Sequence, residues 1–488
     1  MTQQGTCRTR FAPSPTGFMH IGNLRSALYA YLLAKHEGGH FILRIEDTDQ
    51  ERLVEGAIAK IYSGLATCGL QHDEGPDIGG PCAPYVQSER LGHYRPYAEK
   101  LVAQGDAYYC FCSRERLAEL SEAGQMGYDR HCRDLSPEEV SRRLEAGEPY
   151  VIRQKMPLTG QSEFTDAVFG HIVVENKELE DQVLIKSDGF PTYNFANVID
   201  DHEMGITHVL RGSEYLSSTP KYQLLYQALG WQEPVYVHLP LILGEDGKKL
   251  SKRHGATSLE ELVERGYLPE AIVNYIAFLG WSPGEDTREI FSLGELVEHF
   301  NVEHISKAPA VFDYMKLAWV NEHYLKELAP EAFAELAEPW IREAYSGLRE
   351  DNRAILTEIL QPRVQFFSEI PEKIAFLENP AALTRELFFN KKQKLSPELS
   401  LEVLRLVHER LSQLEDWQRE AIHTLLMALP AELELKTGQI MGPPRLALAA
   451  QPVTPGGAIE ILCILGREES LRRLEAAIAY LTETAEEA

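Results

Sequence analysis

The sequence lacks any apolar run long enough to span a bilayer, which argues against a membrane-spanning role. Its opening stretch, MTQQGTCRTR, has no apolar core segment and does not read as a secretory signal. Cysteine is sparse: seven in 488 residues, odd in number and scattered, do not form a disulfide framework. A reducing, cytoplasmic setting is therefore expected. Positive charge is also short, with 48 Lys plus Arg against 74 Asp plus Glu and a formal net charge of −26. That balance argues against indiscriminate polyanion binding but leaves recognition through local basic patches open. Two such patches stand out: Lys248, Lys249, Lys252 and Arg253, and a smaller one of Lys391, Lys392 and Lys394. No internal repeat is present, and no low-complexity tract beyond the acidic C-terminal tail.

What is present reads as a soluble globular protein, with 44% hydrophobic and 25% charged residues. Its length exceeds one small core, so roughly two to four packed units are expected. The first third alternates short apolar runs with helical patterns, the signature of an α/β region. "TCRTRFA" reads as a strand. Leu24, Ala27, Leu28, Tyr31 and Leu32 follow at helical spacing until Gly38-Gly39 ends the helix, and "HFILRIE" reads as the next strand. Strand, helix, strand at this spacing is a crossover joining parallel strands. Residues 109–190 hold the closely spaced cysteines and read as an insertion. The α/β pattern resumes with "THVLRG" as a strand and Thr219-Pro220 as N-cap and first-turn proline of a helix. "VYVHLPLILG" reads as a further strand leading into "EDGKKLSKRHG". From about residue 320 the texture becomes helical, interrupted by a Pro/Gly-rich loop at "MGPPRLALAAQPVTPGG".

In an open parallel sheet, ligands bind beyond the carboxyl ends of the strands. "APSPTGFMHIGN" and "EDTD" follow neighbouring strands, so both should line one crevice. A helix starting near Asn23 would point unpaired backbone N–H groups at that crevice, a setting suited to phosphate. Gly17 and Gly22 let backbone approach a ligand, and His20 can donate to a phosphate oxygen. Taken alone, this is also an ordinary helix entry. "KKLSKRHG" shifts the balance, because lysines on a Gly-flanked loop suit the charge on a departing pyrophosphate. A solvated basic turn is its bland reading.

Together HIGN (20–23) and KLSKR (249–253) resemble the HIGH and KMSKS elements of the class I aminoacyl-tRNA synthetases, with Asn23 replacing the last histidine. "RFAPSPTG", "RIEDTD" and "PTYNFANVIDDHEMGITHVLRG" resemble the glutamyl branch of that family. The resemblance implies ATP with Mg2+, L-glutamate and tRNA(Glu) as substrates, no membrane partner, and a monomer. It implies that glutamate attacks the α-phosphate of ATP and that the glutamyl group then passes to the terminal adenosine of tRNA. His20, Lys249 and Lys252 would act on the transition state, and Gly17, Gly22, Asn23 and Ser251 would complete the ATP site. Arg211 would hold the substrate side-chain carboxylate and Glu46 the α-amino group. Arg10, Ala12, Ser14, Tyr193 and Asn197 would complete the glutamate pocket.

The implied fold is a Rossmann-type catalytic domain in two halves (1–108 and 191–245), interrupted by an α+β acceptor-end-binding insertion (109–190). A stem-contact region with the KMSKS-like loop (246–325) and an all-helical anticodon-binding region (326–488, two subdomains meeting near 380) follow.

Two metal signals differ in weight. "HEGGH" (36–40) formally fits a zinc-protease pattern, but Gly38-Gly39 falls where the helix should end, so both histidines cannot share one helical face. Cys110, Cys112 and Cys132 can supply three ligands of a structural zinc site, with Tyr128 as the fourth. Some glutamyl enzymes carry histidine two residues after the last cysteine. Here that position is Asp134, which leaves His131 a further candidate and three metal-free thiols the bland reading. The rival functions are a glutaminyl-tRNA synthetase, a shorter paralogue that glutamylates a tRNA base, and a non-catalytic tRNA-binding paralogue. Arg211 and the helical C-terminal third oppose the first, chain length the second, and intact His20, Lys249 and Lys252 the third.

Overall fold

The structure is a computed structural model describing residues 6–49, 53–125 and 127–486, with the side chains of Lys252 and Glu486 outside that description. The chain divides into two compact units, residues 1–264 with 269–314, and residues 265–268 with 315–488.

In the first unit, strand β1 (Arg8–Phe11) leads through a turn-rich segment into helix α1 (Ile21–His36) and then β2 (His40–Leu43). β1 and β2 pair in parallel register, Arg8 opposite His40 and Phe11 opposite Leu43. α1 is apolar almost all round: Ile21, Leu24, Ala27, Leu28, Tyr29 and Leu32 are buried. Each fully buried leucine contributes roughly 1.5–3 kcal/mol, which anchors the helix start against the sheet. Glycine is required at the turn after α1. Gly38 has φ +62°, and a Cβ on Gly39 would stand 2.0 Å from the Cys7 carbonyl oxygen.

Helices α2 (Ala57–Thr67) and α3 (Leu91–Gln104) precede a three-stranded antiparallel sheet of β3 (Ala107–Cys110), β4 (Val151–Gln154) and β7 (Val183–Ile185), in the order β3-β4-β7. Helices α4 (Arg114–Glu122) and α5 (Pro137–Glu145) lie between β3 and β4 in sequence. The hairpin β5 (Gln161–Asp166) and β6 (Gly170–Glu175) joins a different sheet, ordered β6-β5-β9-β8, with β8 (His208–Gly212) and β9 (Val235–Leu239) parallel. β5 meets β9 in parallel at Asp166 opposite Tyr236. Helices α6 (Tyr193–Glu203) and α7 (Thr219–Leu229) share a core with α3, in which Tyr94, Leu101, Phe195, Ile199, Tyr222 and Leu225 are buried. The Thr207 N–H donates to the Arg8 carbonyl at 2.9 Å, which brings the start of β8 beside β1.

The second unit is helical from Met315 onward among its described residues, ending in the long helix Arg467–Glu486.

Four local expectations are corrected. α1 starts at Ile21, not near Asn23, because His20 supplies the cap. α7 includes Thr219 as its first residue, with Ser218 at the N-cap position, and the Thr219 hydroxyl donates to the Tyr215 carbonyl at 3.0 Å. "VYVHLPLILG" is not one strand. Pro240 has no N–H to continue the ladder, β9 ends at Leu239, and β10 (Ile242–Leu243) pairs with β11 (Ala310–Val311) instead. Finally, "MGPPRLALA" is helix, within Thr437–Ala449, because burial of Ile440, Pro443, Pro444, Leu446 and Leu448 outweighs the lost prolyl N–H groups. Only the remainder of that stretch is loop.

Candidate active site

The βα connection after β1 sets the first group. His20 has extended dihedrals, φ −64° and ψ 146°, and its Nδ1 accepts the Gly22 N–H at 3.1 Å. Burial, aided by the Lys249 charge, keeps the imidazole below its ordinary pKa, so it is neutral. An Nδ1 that accepts leaves the proton on Nε2, which is therefore a donor. The backbone N–H groups expected to be unpaired are in fact occupied. Ile21 N–H bonds the Thr257 carbonyl, Gly22 N–H bonds His20 Nδ1, and those of Asn23 and Leu24 bond the His20 carbonyl. The His20 Nε2–H, not these backbone groups, is the donor this helix start offers.

A buried ionic network stands behind the next group. Arg10, at the end of β1, donates through Nε to Asp201 Oδ1 at 3.0 Å and through Nη1 to the Leu210 carbonyl at 3.3 Å. Arg44 is fully buried and bridges Asp201 Oδ1 at 2.8 Å and Glu46 Oε1 at 2.9 Å. Burial pushes the Glu46 carboxyl above the usual carboxylate range, although Arg44 and Arg10 pull the other way. Burial acts on Asp201 likewise, but Arg10 and Arg44 prevail and hold it below its ordinary value. Both Arg44 contacts to Glu46 fall on Oε1, whereas both oxygens of Asp201 are engaged by arginines.

Arg211, on β8, is the converse. It is buried, yet its polar partners are neutral: Nε donates to His238 Nε2 at 3.2 Å and Nη2 to Thr219 Oγ1 at 3.0 Å. Tyr222 and Tyr215 place ring faces 4.5 and 5.3 Å from the guanidinium carbon. A buried cation without a contacting carboxylate is costly, and an incoming anion relieves that cost.

The KLSKR segment closes the site. Ser258 forms an antiparallel bridge with His20, and the Leu259 N–H donates to the Met19 carbonyl at 3.1 Å. The preceding turn is held by His254, which reaches Asp246 at 3.0 Å and Ser251 N–H at 3.0 Å. Gly244 is needed there, since a Cβ would meet the His254 ring at 2.6 Å. Lys249 Nζ lies 3.3 Å from Glu214 Oε1, and the two side chains are 65% and 46% exposed. So exposed a pair is weak, and a phosphate can readily take the lysine from it.

These groups surround one cavity of about 450 Å3. It is lined by Arg10, Ala12, Ser14, His20, Gly22, Asn23, Glu46, Tyr193, Arg211 and Lys249 among others, including Glu214 and Tyr215. Gly17, Asn197 and Ser251, also expected at the site, do not line it. Asn197 sits one helical turn beyond Tyr193 and is buried, and Ser251 faces His254. Lys252 belongs to a short helical turn, Lys252–His254, and its side chain lies outside the described residues. Arg44, Asp201, Thr219, His238 and Asp166 were missed as functional residues. Arg44 and Asp201 lie within stretches singled out by resemblance, whereas Asp166 and His238 carry no local signal.

His36 and His40 do not form a metal pair: one ends α1 and the other opens β2, and His36 Nδ1 is 2.8 Å from the Val297 carbonyl. The cysteines do converge. Cys110, Cys112 and Cys132 bring their sulfurs within 4.8 Å of one another, with Cys112 and Cys132 at 3.6 Å. The Tyr128 hydroxyl lies 3.1 Å from Cys110 Sγ and 3.6 Å from Cys112 Sγ. A tetrahedral zinc with bonds of about 2.3 Å spaces its sulfurs by about 3.8 Å, so this donor set fits. Hydrogen bonds from Cys132 and Tyr128 pull the Cys110 thiol well below its ordinary pKa against burial. His131 is exposed, and Asp134 points to Lys155 at 3.7 Å, so Tyr128 is the oxygen donor placed with the sulfurs.

Comparison with known proteins follows the same division of the chain. Residues 6–319 match the family described as tRNA synthetases class I (E and Q), catalytic domain, and residues 332–478 match an anticodon binding domain. A glutamate–tRNA ligase of Clostridium botulinum is 56% identical over 479 residues, 97% of this chain and 98% of that protein. One from Clostridium acetobutylicum is 53% identical, over 97% and 98%. Among solved structures, a glutamate tRNA ligase from Elizabethkingia meningosepticum, in complex with its amino acid, superposes with a TM-score of 0.88. It is 38% identical, with 98% of this chain and 100% of that one covered.

Proposed function

The chain belongs to the class I tRNA synthetases of the E and Q group, and on that premise we propose that it is a glutamate–tRNA ligase. The α-carboxylate of L-glutamate attacks the α-phosphate of ATP, giving glutamyl-adenylate and pyrophosphate. A ribose hydroxyl of the 3′-terminal adenosine of tRNA(Glu) then takes the glutamyl group and releases AMP. The observation that carries this reading is Arg211: a buried cation with neutral partners, on the same cavity as a buried carboxylate, Glu46. Glu46 receives the substrate ammonium and Arg211 its side-chain carboxylate, which leaves the α-carboxylate for ATP. Glutaminyl-tRNA synthesis is the weaker reading, because a neutral amide leaves Arg211 uncompensated.

Neither step needs an enzyme nucleophile, so catalysis rests on alignment and charge stabilisation. His20 donates from Nε2 to a phosphate oxygen. Lys249 leaves Glu214 for the phosphates, and Lys252 joins it by virtue of the KMSKS resemblance. Mg2+ accompanies ATP and supplies further charge neutralisation on its phosphates. Residues 109–190 take the acceptor end, 246–325 contact the stem and 326–488 the anticodon of tRNA. Cys110, Cys112, Cys132 and Tyr128 would hold a zinc ion that supplies structural cross-linking between the turn after β3 and the loop around Tyr128. No described helix is long and apolar enough to cross a membrane.

ATP–pyrophosphate exchange in the presence of tRNA(Glu) tests the proposal. Exchange that depends on glutamate supports it, and its absence from folded protein rejects it.

A further inference from the structure

Arg211 does not stand alone. Because an arginine Nε can only donate, the His238 Nε2 it contacts at 3.2 Å must accept, and the ring proton must sit on Nδ1. That nitrogen lies 2.7 Å from Asp166 Oδ2. Asp166 is itself pinned by backbone. Its Oδ1 accepts the N–H groups of Val168 and Phe169 at 2.9 and 2.8 Å, and Oδ2 also accepts the His238 N–H at 3.1 Å. The side chains of both Asp166 and His238 are 0% exposed. On the same edge of the guanidinium, the Thr219 hydroxyl lies 3.3 Å from His238 Nε2 and donates to the Tyr215 carbonyl at 3.0 Å, so a lone pair accepts from Arg211 Nη2. Nε and Nη2 are thereby fixed, and Nη1 has no hydrogen-bond partner among the described residues.

We propose that Asp166, His238 and Thr219 are positioning residues that orient Arg211 for the substrate's side-chain carboxylate while keeping its charge uncompensated by direct contact. The inference rests on the glutamate-site reading above. Its physical content lies in the order of the chain. An aspartate touching Arg211 would also orient it, but it would form the ion pair that the substrate is meant to form. A neutral imidazole between them transmits orientation through hydrogen bonds and holds the carboxylate one ring away. Burial and the Arg211 charge keep His238 below its ordinary pKa despite Asp166, consistent with a neutral ring. Asp166 sets the tautomer, since only the Nδ1–H form presents an acceptor to Arg211. This linkage joins three elements: β5 supplies Asp166, β9 supplies His238, and β8 supplies Arg211. The parallel meeting of β5 with β9, Asp166 opposite Tyr236, is what sets it.

The test is steady-state exchange kinetics with tRNA(Glu) on wild type, His238→Leu, His238→Gln and Asp166→Asn, with KM for glutamate, KM for ATP and discrimination against glutamine measured for each. His238→Leu is expected to raise the glutamate KM by about tenfold or more, the loss of one charge-assisted hydrogen bond. The ATP KM should stay at its wild-type value and discrimination should fall. His238→Gln should recover most of the loss, because its amide offers an acceptor oxygen to Arg211 and a donor N–H to Asp166. Asp166→Asn, which can hold the wrong tautomer, should also raise the glutamate KM selectively. Wild-type glutamate KM and discrimination in His238→Leu overturn the proposal. So does an equal rise of both KM values in the leucine and glutamine variants, the mark of a merely structural role. If His238→Leu does not fold, Asp166→Asn decides, and an unchanged glutamate KM there overturns the proposal. Wild-type protein without glutamate-dependent exchange would instead reject the functional reading on which this one rests.

Discussion

Replacing Arg211 by Met separates what this residue does for binding from what it does for stability. Among the described residues, Arg211 contacts only neutral acceptors, His238 and Thr219, and aromatic faces in the free protein. Its removal strands two buried acceptors, a cost of about 1–3 kcal/mol each, but also relieves a buried charge that has no contacting anion. These terms oppose each other, so the melting temperature of ligand-free protein should stay near the wild-type value. Binding has no such compensation. Two charge-assisted hydrogen bonds from the guanidinium to a carboxylate contribute about 1.5–3 kcal/mol each, hence about 3–6 kcal/mol in all. That corresponds to about two to four orders of magnitude in kcat/KM for glutamate. Glutamine, whose amide forms only neutral-type bonds worth about 0.5–1.5 kcal/mol, should lose far less. The assay is pyrophosphate exchange with glutamate and glutamine in competition, together with thermal melts with and without glutamate. Selectivity should collapse and the glutamate-induced rise in melting temperature should vanish. Retained preference for glutamate in a folded variant would refute the reasoning.

Glu46→Gln should raise the glutamate KM by about tenfold or more through loss of the ammonium contact, with the ATP KM unchanged. Burial raises the Glu46 pKa, and only its charged form holds an ammonium. The wild-type glutamate KM should therefore climb as pH falls, starting at higher pH than an exposed carboxylate would give, and the Gln variant should flatten that profile in a pH series. His20→Ala should lower kcat by about 10²–10³ while leaving the glutamate KM in place, as expected for a donor that acts on developing phosphate charge. Protein produced in zinc-supplemented medium should carry one zinc per chain by elemental analysis. Tyr128→Phe should weaken its retention against chelators, and chelation should raise the tRNA KM more than it slows exchange. Metal-free protein with full tRNA affinity would contradict that assignment.

The part of the site that follows one strand was legible because its spacing is local. His20 and Gly22 lie where the chain enters α1 after β1, and periodicity predicts both elements, whereas Arg10, Ala12 and Ser14 on the same stretch are nominated only through the family resemblance. Its finer geometry was not. A histidine is not a common cap, yet His20 Nδ1 accepts the Gly22 N–H and the helix starts at Ile21 instead of near Asn23. Thr219 looked like a cap by residue type, yet it is the first helical residue and its hydroxyl serves Arg211. Pro443 and Pro444 read as loop because propensity is a local measure, whereas their burial in the helical unit is decided by distant neighbours. Asp166 and His238 are 72 residues apart. No pattern within either strand shows that they meet; the pairing of β5 with β9 does. The cysteine cluster lies between these cases: the sequence nominates the three sulfurs together with Tyr128, and the fold brings the Tyr128 hydroxyl within 3.1 Å of Cys110 Sγ.

The central claim is that this site takes glutamate, not glutamine, onto tRNA. It is tested most directly by charging purified tRNA(Glu) with equal concentrations of both amino acids and identifying the ester on the 3′-terminal adenosine by mass spectrometry. The account predicts glutamyl-adenosine with glutaminyl-adenosine at background. Glutaminyl-adenosine as the main product, or no ester formed by folded protein with ATP and Mg2+ present, would contradict it.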